Sequence, residues 1–368
     1  MTHEVKIGNC LDLMKEMPSE SVQACITSPP YWRLRKYGDD PKELGQEATP
    51  EEFVANLTPV FEEVRRILKP DGTFWLVIGD SYTSNGRERT EAAAVAKSTL
   101  KGSTKSQGNQ VSQGSKLSSG LKALDLVGIP WLTAFGLRSA GWYLRSSIIW
   151  HKKNCMPESV GRKNGKWTFQ NGRPTRSHEN VFLFSKSPKY YYDSQAISEP
   201  CIWDVDGTRT AARKARAHSE TKSYPTEERN GMRGGGFKDA AKMNGKNGVE
   251  KQRGHSRKHS GFNDRWGAMT KEEQCSGRRN KRDVWIFAPS QFREAHYATF
   301  PPALIEPMIL ASSKPGDTVL DPFGGSGTVA MVSQKFGRSS ISIDLYPKHG
   351  EMMLRRTFIP QMDFSEYL

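Results

Sequence analysis

Val319-Leu320-Asp321-Pro322-Phe323-Gly324-Gly325-Ser326-Gly327-Thr328 reads as a short apolar strand, a tight glycine turn and the start of a helix. The glycines admit positive φ and let a ligand approach the backbone closely. The helix N-terminus that follows carries partial positive charge. In an open α/β sheet such a turn lies at the carboxyl end of a strand, where nucleotide-like cofactors bind. Gly327 is followed by Thr328 with no lysine, so this is not a P-loop, and the GxGxxG spacing of a dinucleotide site is absent. The expected ligand therefore lacks a pyrophosphate. Downstream, Ile341-Ser342-Ile343-Asp344 ends a second strand in a carboxylate, which suits the hydroxyls of a ribose. Loop and acid together predict an adenosine cofactor held by Asp321, Pro322, Phe323, Gly324, Gly325, Ser326, Gly327, Thr328 and Asp344.

Around this stretch the chain alternates strand and helix patterns. Strands are expected at 5–7, 22–27, 73–78, 145–150, 181–185, 318–321 and 340–344. Pro50 to Leu68 has apolar residues at helical spacing, from Phe53 and Leu57 through Val60, Phe61, Val64 and Leu68. Lys69-Pro70-Asp71-Gly72 reads as its stop. Further helices are expected at 131–139 and 302–312. Seven strands with helices between most of them predict a doubly wound, mostly parallel seven-stranded α/β sheet.

A second landmark is Ser28-Pro29-Pro30-Tyr31, which follows the apolar run Ala24-Cys25-Ile26-Thr27. Two prolines lock φ and remove two backbone donors while their carbonyls remain as acceptors. The result is a rigid, acceptor-rich rim at a strand end. Such a rim suits an exocyclic amino nitrogen, a poor nucleophile because its lone pair is delocalised into the ring. The Ser28 oxygen and the Pro29 carbonyl can each take one amino hydrogen, and Tyr31 offers a stacking face.

Lys and Arg number 54 against 40 acidic residues, a formal charge of +14. That excess points to a polyanion partner. Most of it falls between 207 and 282, which holds 20 basic and 8 acidic residues with Tyr224, Phe237, Phe262 and Trp266 among them. Basic side chains between glycines and a few aromatics suit a surface that follows a phosphate backbone. A second polar stretch, 84–122, is rich in Ser, Gly, Gln and Lys and reads as a long loop outside the core. The five cysteines (Cys10, Cys25, Cys155, Cys201 and Cys275) include no CxxC pair, so neither a zinc site nor a disulfide framework is expected. The N-terminus shows no cationic segment followed by an apolar run, and no stretch approaches the ~20 apolar residues of a membrane span. The expectation is a cytoplasmic protein with no metal.

Thr27-Ser28-Pro29-Pro30-Tyr31-Trp32 together with Asp321-Pro322-Phe323-Gly324-Gly325-Ser326-Gly327-Thr328 resembles the amino-methylating DNA methyltransferases. The tetrapeptide precedes the cofactor loop, which is similar to the permuted β-type order. The resemblance implies S-adenosyl-L-methionine as cofactor and double-stranded DNA as substrate. Asp283-Val284-Trp285 and His296-Tyr297-Ala298-Thr299-Phe300-Pro301 look like the segment leading into the family's cofactor helix, so Phe300 and Pro301 are implied at the methionine end. Gly8-Asn9-Cys10 stands where the family usually has Gly-Asp, which implies Asn9 and Cys10 near the adenine. In the family, Ser at the first tetrapeptide position is typical of action on cytosine N4 and Asp of action on adenine N6. The resemblance therefore implies N4-cytosine methylation, with adenine N6 as the alternative. It also implies 1–194 and 283–368 as the two halves of the methyltransferase domain and 195–282 as a target-recognition insert. A cognate restriction endonuclease is a candidate partner, and the chain is expected as a monomer or homodimer.

Other chemistries fit less well. Cytosine C5 methylation needs a cysteine nucleophile, and Cys201, the only one after a proline, is in no strand-end turn. A protein or RNA methyltransferase is the more distant alternative; glutamine-modifying relatives usually carry Asn at the position of Ser28. His296 reads as a packing or hydrogen-bonding residue rather than a general base.

Overall fold

The computed structural model describes residues 1–83, 120–155, 160–163, 166–169, 174–200, 268, 278–289 and 300–358. Eight strands form one sheet: β1 (His3–Ile7), β2 (Val22–Thr27), β3 (Leu68–Ile78), β4 (Tyr143–His151), β5 (His178–Ser185), β6 (Val284–Ile286), β7 (Thr318–Asp321) and β8 (Ser339–Asp344). Their order across the sheet is β1-β8-β7-β2-β3-β5-β4-β6. Every neighbour pair is parallel except those made by β5, which runs antiparallel to both β3 and β4. The helices are α1 (Cys10–Lys15), α2 (Pro50–Ile67), α3 (Ile129–Ser139), α4 (Pro302–Ser312), α5 (Thr328–Lys335) and α6 (Pro347–Phe358). The sheet is thus parallel-dominated and helix-covered as expected, with one strand more than the seven read from sequence. The extra strand, β6, pairs Val284–Ile286 with Ile149–His151. It is too short to show a pattern of its own: only Trp285 is buried, and Val284 and Ile286 are exposed.

Strands covered on both faces supply two cores at once. From β3, Phe74, Leu76 and Ile78 pack into a core with Phe53, Leu57, Phe61 and Val64 of α2 and with Ala134 and Leu137 of α3. Trp75 and Val77 face the other core, with Leu304, Ile305 and Met308 of α4 and Val329 and Val332 of α5. In β2, Cys25 goes to the first core and Ile26 to the second; in β7, Leu320 and Val319 divide the same way. The continuous apolar runs in the sequence are therefore strands with no polar face.

Lys69-Pro70-Asp71-Gly72 stands just past the end of α2, which stops at Ile67 with Leu68 as its C-cap, as the composition predicts. It lies inside β3, where the register with β2 jumps from Val22↔Leu68 to Ala24↔Thr73. The extra residues bulge outward with Pro70 and Asp71 exposed.

The chain divides into two units, Met1–Ile197 with Arg282–Leu368, and Ser198–Lys281. In the second, Glu199–Pro200 pairs antiparallel with Arg278–Arg279. An ion pair of 3.2 Å joins Arg279 to Glu199. Apart from residue 268, the basic, aromatic-bearing stretch 201–277 lies outside the described residues, as do 84–119, His296 and both Cys201 and Cys275. No described helix is long and apolar enough to cross a membrane.

α2 begins with a capping box. Thr49 Oγ1 accepts from Glu52 N at 3.1 Å, Glu52 Oε2 accepts from Thr49 N at 3.3 Å, and Pro50 occupies the first turn. Thr49→Ala should lower the unfolding free energy by about 1 kcal/mol, read as a lower urea midpoint at unchanged slope. An unchanged midpoint would show that the cap contributes nothing.

Candidate active site

The carboxyl ends of β1, β2, β7 and β8 open into one cavity of about 1320 Å³. This is where ligands bind in open α/β sheets. Its wall contains Ser28, Pro29, Pro30 and Tyr31 after β2, Asn9 and Cys10 after β1, and Phe300 before α4. Pro322, Phe323, Gly324, Gly325, Ser326 and Thr328 follow β7, and Asp344 ends β8. Three other residues expected at the cofactor are not part of the lining. Pro301 caps α4. Gly327, at φ 75°, lies against Met353, which is 3.0 Å from where a Cβ would stand. Asp321 is buried behind the surface.

Adjacent strands bring the two landmarks together. β2 and β7 pair in parallel through Ala24↔Val319 and Cys25↔Leu320. Just beyond these pairs, Thr27 Oγ1 donates to Asp321 Oδ1 at 2.6 Å in the interior. Phe323 N donates to the same oxygen at 3.1 Å, whereas Asp321 Oδ2 is buried with no hydrogen-bond partner. Burial is the main reason the Asp321 carboxyl is pushed up to about 7, and the charge of Asp344 adds to it; the bonds from Thr27 and Phe323 act the other way. The glycine loop is braced from α6: Arg356 Nη1 donates to Ser326 O at 2.7 Å, Ser326 Oγ at 2.8 Å and Thr328 Oγ1 at 3.2 Å.

At the other end, Asp344 is already engaged. Oδ2 accepts from Gly325 N at 2.9 Å, and Oδ1 accepts from Tyr346 N at 3.0 Å and lies 2.9 Å from His349 Nδ1. With about four acceptor directions on a carboxylate, roughly one is left for a ligand hydroxyl. Asn9 is likewise occupied: its Oδ1 caps α1 by accepting from Asp12 N at 3.2 Å. A segment after the tetrapeptide closes this side. Glu43 accepts from Tyr37 N at 2.7 Å, Gly38 N at 2.9 Å and the Tyr346 hydroxyl at 2.6 Å.

Tyr31 is placed by contacts the sequence did not foretell. Its ring lies over Gly79, at the end of β3, where a Cβ would come within 2.6 Å of Cε2. Its hydroxyl donates to Glu179 Oε2 at 2.8 Å. Glu179 also pairs with Lys152, whose ammonium sits 4.7 Å from the centre of the Trp150 ring. Trp150, Lys152, Glu179, Tyr346 and His349 all line the cavity and all escaped the sequence reading. They carry no motif: Glu179 stands at the start of an apolar strand, and Tyr346 and His349 follow the strand-end acid Asp344 without a recognisable pattern.

The chain is similar to known proteins along most of its length. Residues 22–355 match the N6/N4 DNA methylase family. The chain is 35% identical over 349 residues to the type II methyltransferase M.Cfr9I of Citrobacter freundii, covering 95% of this chain and 85% of that one. It is 33% identical to the type II methyltransferase M.SmaI of Serratia marcescens, covering 96% and 90%. Among solved structures, the PvuII DNA methyltransferase (cytosine-N4-specific) shares the fold at TM-score 0.55 and 16% identity, over 100% of this chain and 90% of that one. A Thermus thermophilus protein described as a putative DNA modification methylase, complexed with S-adenosyl-L-methionine, aligns at TM-score 0.52 and 18% identity, over 98% and 96%. The chain belongs to the family of N6/N4 DNA methylases.

The seat of Tyr31 and the burial of Asp321 each have a measurable consequence. Gly79→Ala should displace the Tyr31 ring and lower methyl transfer on the order of 10- to 100-fold, with unfolding nearly unchanged; full activity would show that the ring's seat is immaterial. For Asp321, a pKa of about 7 in the folded chain stands above the ordinary 3.8, so the folded state holds the extra proton between those values. Stability from this group is therefore lost as pH rises through that window. Asp321→Asn should raise the melting temperature relative to the parent more at about pH 8 than at about pH 5. A difference independent of pH would mean that Asp321 stays ionised throughout.

Proposed function

We propose that this chain methylates the exocyclic N4 amino group of cytosine in double-stranded DNA, on a base turned out of the helix. The observation that carries the target assignment is Ser28, a neutral acceptor at the head of the rim, in the same cavity as the glycine loop.

The site fits S-adenosyl-L-methionine. Phe300 and Phe323 offer apolar faces, and Asp344 keeps an acceptor direction for a ribose hydroxyl. The cofactor, when bound, supplies an electrophilic methyl group. The chain's residues do the rest. Tyr31 stacks on the extruded base. Ser28 Oγ and the Pro29 carbonyl accept the two amino hydrogens and turn the nitrogen lone pair toward the donor. Rigid prolines keep these acceptors in place without reorganisation. The alkylated nitrogen is cationic and acidic, so its proton leaves without a strong base. Neither a metal nor a covalent bond to the enzyme enters this scheme, and no cluster of metal-ligating side chains occurs among the described residues.

The basic unit 198–281 provides the phosphate contacts and base readout in this reading, because its 19 basic and 11 acidic residues carry a net +8 of the chain's +14. The type II designation of the relatives supports a role beside a restriction endonuclease.

The test is nucleoside mass spectrometry on DNA from cells expressing the protein. N4-methylcytosine is the expected product. N6-methyladenine alone would replace the target base, and methylated RNA or protein with unmodified DNA would overturn the reading. Ser28→Ala should cut turnover on the order of 10- to 100-fold, the value of one lost oriented hydrogen bond, while binding of the cofactor stays within about twofold.

A further inference from the structure

We infer that Glu179, clamped by Lys152, is a positioning residue that fixes the plane of the Tyr31 ring for the extruded base. This rests on the proposed role of Tyr31 as the stacking face.

An aromatic that only stacks needs no anchor for its hydroxyl. Here the hydroxyl is tied at 2.8 Å to a carboxylate from a distant strand. That strand is firmly held: β5 pairs with β4 along its length and with β3 from Asn180 to Ser185. Glu179 stands opposite Trp150 in that register. Its side chain is 16% exposed, a position that a carboxylate tolerates only when paired. Lys152 provides the pair through the second oxygen, and Lys152 is itself held: its N–H donates to Ser177 O at 2.8 Å and its ammonium lies over Trp150. Trp150 Nε1 in turn donates to Phe287 O at 3.1 Å. Below the ring, Gly79 leaves no gap through which it could tilt.

Tyr31 is thus held at its hydroxyl, along its face and through the rigid backbone of Pro29-Pro30. Each hold acts from a different element. A stacking plate fixed this way places the amino nitrogen of the base at a set distance from Ser28 and the methyl donor. Loosening it lowers the rate of the chemical step more than it lowers affinity for DNA. The acceptor must be strong, and an ionised carboxylate is a stronger acceptor than an amide. The charge that makes Glu179 a good anchor is the reason Lys152 is there.

The test is a double-mutant cycle on methyl transfer to DNA, with Tyr31→Phe and Glu179→Ala alone and together. Each single change should lower kcat on the order of tenfold, with KM for S-adenosylmethionine and for DNA within about twofold. The double variant should be no slower than the slower single one. Glu179→Gln, which keeps an acceptor for the Tyr31 hydroxyl, should recover part of the loss, and Tyr31→Phe should unfold at nearly the parent temperature. Losses that multiply in the double variant, or a loss of DNA affinity at unchanged kcat, would overturn the assignment. The cycle reads transfer to any base, so finding N6-methyladenine as product would sink the cytosine reading while leaving the coupling measurable.

Discussion

The bond from Thr27 to Asp321 is the point on which the site turns. It joins residues at the ends of two neighbouring parallel strands, one near the beginning of the chain and one near its end. Just beyond Thr27 comes the Ser-Pro-Pro-Tyr rim, and just beyond Asp321 comes the glycine loop. With the two strand ends locked, the rim and the loop have no freedom to drift apart. The relative placement of rim and loop is thereby set by main-chain pairing and one buried hydrogen bond.

Glu43, Asp344, Glu179 and Asp321 stand in or behind the cavity, and the fold treats each carboxylate differently. Glu43 is engaged by two backbone N–H groups and the Tyr346 hydroxyl. Asp344 is mostly engaged by Gly325, Tyr346 and His349. Glu179 is neutralised by Lys152. Asp321 differs from these three in keeping a buried oxygen without a donor, and burial holds its proton to near neutral pH. A positive charge placed above the glycine loop would therefore favour ionisation of Asp321.

Much of this was legible in the amino-acid sequence, for stated reasons. Strands buried on both faces write continuous apolar runs, and Ala24–Thr27 and Val319–Asp321 did so. Glycines and prolines mark turns through their backbone restrictions, so both strand-end loops stood out. The sequence fell short where tertiary pairing decides the structure. Lys69-Pro70-Asp71-Gly72 marks the end of α2 correctly, but its composition does not show that it bulges within β3, where Leu68 on one side and Thr73 on the other find partners in β2. Val284–Ile286 is a strand only because β4 offers it an edge. Glu179, Lys152 and Trp150 meet across an antiparallel pairing that no local pattern announces. The wall that holds Tyr31 was therefore invisible until the register was known.

The sheet order also constrains how the protein is made. β1 has β8 as its neighbour in the sheet, and one side of β2 waits for β7. A ribosome delivers β1 to β5 long before residues 318–344, with the whole 198–281 unit in between. During that interval the outer edge of β2 shows unpaired backbone groups beside the apolar Ala24, Cys25 and Ile26, a template for pairing with the wrong chain. Closure over so many intervening residues is also slow. A prematurely stopped chain is thus not a weakened enzyme: it keeps the rim, lacks the loop, and presents a sticky border that chaperones must shield or proteases remove.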